Sequence, residues 1–252
     1  MNIILGKIDS SLFYRSPERN FTMSEKTPAS EIIFEHGQIN PLTYKEQAYR
    51  VIKEAILYQK FQPDAVYSQE GLCQNLGISR TPVREALLEL QKEGYVRFCR
   101  GKGIQIVSLS KDAIHDILEM RLHLEMTAAE LAAKRATKAD LDYISECLEG
   151  GRQKLDEPDV IRCYRLDHQF HRAVAKAAHN DLLYHSVDEV LNHYLRFEVL
   201  TVYQSDSHAN SIWQEHSALC DAIWAHDPQS ARRAAETHLN DAYRRTLGKY
   251  WL

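Results

Sequence analysis

No apolar run in this chain reaches the roughly 20 residues that a helix needs to span a bilayer, which excludes a helical membrane anchor as its organising element. The opening stretch, Met1-Asn2-Ile3-Ile4-Leu5-Gly6-Lys7, is too short an apolar patch for a signal peptide, and no small-residue cleavage site follows it. A cytoplasmic protein with no membrane partner is the expectation. The five cysteines, Cys73, Cys99, Cys147, Cys163 and Cys220, are scattered, odd in number and never spaced as Cys-x-x-Cys. That excludes a disulfide framework and a thiolate zinc knuckle, and reduced thiols are the default. A basic excess is also missing, because the formal net charge is −4. Taken alone, that sum argues against a nucleic-acid partner.

The partition of charge along the chain reverses that argument. Residues 43–108 hold 10 Lys and Arg against 7 Asp and Glu, whereas residues 109–252 hold 17 against 23. The acid lies where no phosphate has to approach. The local excess is small, so useful affinity for DNA needs two such segments, as in a homodimer. With 252 residues, 44% hydrophobic and 26% charged, the chain can build two modest globular domains.

The basic segment carries the most informative stretch, Ser79-Arg80-Thr81-Pro82-Val83-Arg84-Glu85-Ala86-Leu87. Proline is tolerated in a first helical turn, so a helix is expected from about Thr81-Pro82, with Thr81 as its N-cap. Ala86, Leu87 and Leu90 fall on its buried side, and Arg80 and Arg84, four apart, share the other face. Two guanidinium forks on the first turn suit guanine edges in a major groove, and the helix N-terminus favours a phosphate. Upstream, Ser68 to Leu76 makes a short helix and Gly77-Ile78 a turn. Downstream, Glu93-Gly94-Tyr95-Val96 ends the helix and starts a strand, Arg100-Gly101-Lys102-Gly103 is a tight basic hairpin, and Ile104 to Val107 is the returning strand. The expected unit is a winged helix-turn-helix over 43–108, supported by a helix that Thr43 caps.

These residues resemble the DNA-binding domain of the GntR family of bacterial transcription regulators. The resemblance implies that Arg80 and Arg84 contact bases, that Thr81 contacts phosphate and that Gly103 enters the minor groove, with Arg100 and Lys102 lending the wing its charge. One departure stands out. The family often opens the preceding helix with Ser-Glu-Arg-Glu-Leu, and here the run is Ser68-Gln69-Glu70-Gly71-Leu72. The usual basic contact is absent there.

Residues 1–42 show no sustained period and read as a mobile tail, with a short ordered piece at Ile32-Ile33-Phe34. Beyond Ser110 every stretch reads as helix, in an antiparallel bundle of six or seven helices over 111–252. The overall fold class is therefore mostly α. Expected helices cover about 110–134, a segment capped by Thr137 with Asp140, 159–178, 181–203, 212–225 and 228–247. Breaks are expected at Asp156-Glu157-Pro158 and a loop at Gln204 to Asn210.

Within that bundle Asp167 and His171 are four apart, on the face that carries Phe170, Ala173, Val174 and Ala177. His216 opens the turn leading to Leu219 and Ile223, and His238 sits in the series Ala231, Ala234, Ala235, Leu239, Ala242. A buried imidazole or carboxylate without a partner costs a few kcal/mol, and one divalent metal would satisfy all four groups. The plainer alternative is ordinary hydrogen bonding, since the chain has 12 histidines. Three imidazoles and a carboxylate suit zinc first, with nickel, manganese, cobalt or iron also compatible. An octahedral ion would keep two positions for a small carboxylate; a tetrahedral one would keep none.

The same region resembles the all-helical effector domain of the FadR branch of that family, the FCD domain. The resemblance rests on Arg121-x-x-x-Glu125 followed by Ala128-Ala129 and Ala132-Ala133, Asp167-x-x-Phe170-His171, Glu215-His216 and His238-Leu239. It implies that Asp167, His171, His216 and His238 hold the metal, and it argues against an acyl-CoA effector. It also implies that Arg121 clamps a carboxylate effector, against the alternative of a plain i,i+4 ion pair with Glu125. Asn192 and Arg196 share a helix face and are candidates for the same pocket. The resulting expectation is a transcription regulator, a repressor that binds a palindromic double-stranded operator as a homodimer and answers to a small organic acid. Two rivals are a metal sensor, in which the ion is the signal, and a metal-dependent hydrolase, which lacks a clearly placed general base.

Overall fold

The computed structural model describes residues 42–152, 160–198 and 206–250. The expected tail with Ile32-Ile33-Phe34, the expected break at Asp156-Glu157-Pro158 and the end of the helix expected to reach Tyr203 lie outside those residues. Among the described residues the order is α1 (Tyr44–Leu57), β1 (Val66–Tyr67), α2 (Gln69–Leu76), α3 (Arg80–Lys92), β2 (Val96–Cys99), β3 (Gly103–Ile106), and then six helices. Those six are α4 (Lys111–Arg135), α5 (Lys138–Arg152), α6 (Val160–Ala177), α7 (Asp181–Glu198), α8 (Asp206–Trp224) and α9 (Pro228–Tyr250). None is long and apolar enough to cross a membrane.

Thr43 starts α1 through a reciprocal capping box with Glu46, which satisfies two otherwise orphaned amides. Ser68 caps α2, and Gly77 ends it in the left-handed conformation that glycine adopts freely. The N-cap of α3 is Ser79, two residues before the expected Thr81. Pro82 consequently occupies the third helical position, still inside the turn whose amides have no helical partner, so the helix begins earlier at no cost.

The wing is a three-stranded antiparallel sheet in the order β1-β3-β2. Val96 pairs with Ile106 and Phe98 with Ile104, while the two residues of β1 add an edge, Val66 opposite Gln105 and Tyr67 opposite Ile104. Gly103 stands at φ +118°, and a Cβ there would lie 2.1 Å from the Tyr67 carbonyl oxygen. Glycine at this position therefore lets β1 close on the hairpin. Val83, Leu87, Leu90, Tyr95 and Ile104 form one buried apolar cluster, which Tyr164 and Leu195 from α6 and α7 join.

In the bundle α4 is central and packs against α6, α7, α8 and α9. Its C-terminal half buries Ala128, Ala129, Ala132 and Ala133, small side chains that admit close neighbours. Thr137 and Asp140 cap α5 as expected, and Asp227 caps α9 ahead of Pro228. Helix α8 begins at Asp206, so the segment 206–210, expected to be loop, is helical. Gly151, in the last turn of α5, faces the Trp213 indole so closely that a Cβ would stand 1.9 Å from the ring.

Candidate metal centre and nucleic-acid interface

Arg80, Thr81 and Arg84 are exposed at the start of α3, as are Arg100 and Lys102 on the wing hairpin, with Gly103 half-buried beside them. Ser79 makes no side-chain bond to the helix it caps. The first-turn amides of α3 are thus not tied up by that side chain. The Arg80 guanidinium lies 3.5 Å from the Glu70 carboxylate, and both side chains are largely exposed. The residue that departs from the family pattern thus stands beside one of the two expected base-reading arginines.

The second site lies inside the bundle. Helix α6 buries Phe170, Ala173, Val174 and Ala177, and that apolar face carries Asp167 and His171 inward. Helices α8 and α9 bring His216 and His238 to the same place, and all four polar residues are buried. Ligand atoms of His171, His216 and His238 all lie within 4.8 Å of one another. His216 Nε2 is 3.2 Å from His238 Nε2. Asp167 places its two oxygens 3.5 Å from His216 Nε2 and 3.8 Å from His171 Nε2. The rings also pack on one another and on Phe170, whose ring centroid is 4.5 Å from that of His216.

Two carboxylates fix the imidazoles from behind. His171 Nδ1 donates to Glu125, and His238 Nδ1 donates to Glu215 at 2.8 Å. An ionised carboxylate accepts only, so each of these rings carries a proton on Nδ1 and turns Nε2 inward. Burial alone would raise the Glu125 carboxyl, but His171 and Arg121 outweigh it and hold the group well below the carboxylate range. Burial likewise opposes ionisation of Glu215, yet His238 and Arg245 bring it down to about 2. Arg245 grips Glu215 with two bonds of 2.8 Å. Burial, reinforced by neighbouring imidazoles, lowers His216 far below its ordinary range, and burial lowers His238 as well. His216 and His238 are therefore biased toward the neutral imidazole, the form in which histidine binds a metal.

This donor set fits a divalent transition metal. Nε2 of His171 and Nε2 of His238 face a common point, and the Asp167 carboxylate adjoins the cluster. His216 Nδ1 is buried without a hydrogen-bond partner among the described residues, so that ring has only its inward nitrogen to use.

Arg121 is buried at the rim of the cluster. Its Nε donates to Glu125 at 2.6 Å, Nη2 is 3.1 Å from His171 Nε2, and the guanidinium lies 4.1 Å over the Tyr194 ring. The ion pair weighed as an alternative role thus exists, and it points the guanidinium at the cluster. Asn192 is buried but bonds Arg172 at 3.0 Å and Asp188 at 3.3 Å. Arg196 is not brought to the cluster. Its guanidinium donates to the Val107 carbonyl at 2.7 Å and the Gly94 carbonyl at 3.2 Å, both in the winged segment.

Sequence reasoning missed the role of Glu125 and Glu215 as the carboxylates behind the imidazoles. Glu215 was visible only as a neighbour of His216, whereas its partner is His238, 23 positions away. It also passed over His168, which is fully buried with its ring 6.2 Å from that of Tyr194.

Comparison with known proteins adds independent observations. Residues 116–241 match the FCD domain. Residues 44–106 match the model described as bacterial regulatory proteins, gntR family. The chain is 28% identical over 193 residues to the Glc operon transcriptional activator of Escherichia coli K12, covering 68% of this chain and 76% of that protein. It is 28% identical over 244 residues to the HTH-type transcriptional repressor NanR of Cronobacter sakazakii, covering 87% and 93%. Among solved structures, E. coli McbR/YncC superposes with a TM-score of 0.73 at 21% identity, over 83% of this chain and all of that one, which speaks for the fold.

Proposed function

Because the chain belongs to the gntR family of bacterial transcription regulators, as a member with an FCD effector domain, we propose that it is a metal-dependent, metabolite-responsive repressor. Two copies pair, and each presents Arg80 and Arg84 to the major groove of one half of a palindromic operator. Thr81 meets phosphate, and Arg100, Lys102 and Gly103 carry the wing toward the minor groove. A relative named as a repressor aligns over most of this chain, which supports repression, although another is named as an activator.

Asp167, His171, His216 and His238 hold the ion, and zinc suits that donor set best. The observation that carries this reading is the pair of buried imidazoles whose outer nitrogens are committed to Glu125 and Glu215. A bound divalent ion would supply a Lewis-acidic point able to attract an organic carboxylate. Arg121 stands beside it with a planar fork suited to the same group. Asn192, through Arg172, steadies the helix that carries two of the ligands. An effector changes operator affinity only so far as it binds the DNA-competent and incompetent arrangements unequally.

The test is a gel-shift titration of metal-loaded full-length protein on its operator with a panel of small hydroxy and keto acids. At least one acid should shift affinity about ten-fold or more, the usual size of an allosteric coupling. Operator binding that tracks metal concentration with every acid inert would replace this reading by a metal sensor. Binding indifferent to both would remove the sensing role. Arg84→Ala should lose about 1–3 kcal/mol of discrimination at one base pair.

A further inference from the structure

Among the contacts between the winged segment and the bundle, which include Tyr164 and Leu195 in the winged core and the Arg165–Glu54 pair, one side chain engages the most partners. The Arg196 guanidinium, from the last turn of α7, donates to the carbonyls of Val107 and Gly94. These are the residues where the sheet strand leaves α3 and where the wing returns. Between them lies Tyr95, 1% exposed, and Arg196 covers its ring at 4.8 Å. His193, one turn earlier on α7, stacks on the same ring at 5.4 Å and 7° and accepts from Arg196 at 3.2 Å. On the far side Gln59, just after α1, donates to the Arg196 backbone carbonyl at 2.9 Å. One residue thereby engages both entry and exit of the wing, an aromatic ring beneath it, and the end of the supporting helix.

Arginine suits this place better than lysine: Nη2 donates to both carbonyls, Nη1 donates to His193, and the guanidinium face lies on the Tyr95 ring, whereas a lysine has one nitrogen and no planar face. Four positions back on α7, Asn192 accepts from Arg172, the residue that follows the metal-site histidine His171. The helix that carries the clasp is therefore bonded to the helix that carries two ligands.

We propose that Arg196 is a positioning residue for DNA reading: it clasps the root of the wing and holds the winged domain on the bundle in a single orientation. The orientation of each head sets the distance between the two recognition helices, so the clasp fixes which half-site spacing a dimer accepts. That consequence rests on the dimeric regulator proposed above.

The test uses full-length wild type, Arg196→Ala and Arg196→Lys on operators whose half-sites are moved apart by one and by two base pairs. Calorimetric unfolding is recorded alongside. In the wild type each insertion should weaken binding about ten-fold or more, because it rotates and displaces one half-site. Both variants should cut that penalty to about three-fold or less, while their affinity for a single isolated half-site stays within about two-fold of wild type. A merely damaged fold would lower both affinities together, and Arg196→Lys, which keeps charge and bulk, guards against that outcome. An unchanged spacing penalty in Arg196→Ala would overturn the proposal. Should the wild type show no spacing penalty at all, the dimeric reading fails and the calorimetry decides for the clasp. A transition that splits in two in Arg196→Ala supports it, and one that stays single and unshifted overturns it.

Discussion

Replacing Glu215 by glutamine tests the proposed metal centre without emptying any space. The side chain keeps its volume and an acceptor oxygen, but the negative charge that fixes His238 and pairs with Arg245 is gone. Two effects separate. The first acts without metal: Arg245, only 13% exposed, loses its counter-charge, which costs about 1–3 kcal/mol because a largely buried charge-assisted bond is weakened. The second acts on the ion. Loss of a carboxylate behind a ligating imidazole typically lowers metal affinity about 10- to 100-fold. At a zinc concentration about 100 times the parent dissociation constant, binding stabilises the parent by about 2.7 kcal/mol, and the variant at the same concentration by only about 0.4–1.4 kcal/mol. For a protein of this size that converts to a zinc-induced rise in Tm of about 5–11 °C in the parent and about 1–6 °C in the variant. Thermal unfolding of stripped and zinc-loaded samples, with competition against a chromophoric chelator, reads both effects. A variant that retains the parent's full zinc-induced rise and zinc affinity would refute the assignment of Glu215 as the support of a metal ligand.

Gly103→Ala should lower Tm clearly and weaken operator binding, because the new methyl meets the Tyr67 carbonyl and the backbone is held at φ +118°; a cost of about 1–3 kcal/mol is expected for such a conflict, and unchanged unfolding would contradict the sheet closure described. Glu70→Ala should tighten operator binding at low salt by removing a negative charge beside Arg80, and the gain should fade as salt screens it; fluorescence anisotropy across a salt series checks the sign. Burial pushes the Asp140 carboxyl up, but bonds from Thr137 and His179 outweigh that and lower it. A depressed carboxylate contributes stability that is present above its unfolded pKa and lost as pH falls through its folded one. Asp140→Asn should therefore be less stable than the parent at pH 7, by about 0.5–1 kcal/mol as for a weakened cap, and the gap should close below the ordinary carboxylate range. A gap that persists at pH 2.5 would contradict this.

Much of this architecture is written locally in the chain. Thr43, Ser68, Ser110, Thr137 and Asp227 each mark a helix start by side-chain chemistry that needs only the next three residues. The inward faces of α6 and α9 follow from apolar spacing, and that spacing leads directly to Asp167, His171 and His238. What stayed hidden depends on distant partners. Strand β1 has two residues, too few for any alternation to register. The start of α8 is polar through 206–210, so its helical register is carried by later residues such as Ile212, Trp213 and Leu219. Ser79 takes the cap from Thr81 because the first-turn amides tolerate proline anywhere among them. Arg196 looked like a companion of Asn192 because they share a helix face, yet a long side chain can leave that face, and this one reaches residues about 90 positions away.

The contact between Gly151 and Trp213 has a further bearing. The indole stands edge-on to the His216 ring, with centroids 5.0 Å apart, so its placement helps determine where that imidazole sits. Position 151 lies at the tail of a helix that contributes none of the four cluster residues, yet any side chain there must displace the indole. Under the metal reading proposed above, a single carbon at this remote spot would shift one imidazole of the cluster while Asp167, His171, His216 and His238 all stay in the sequence.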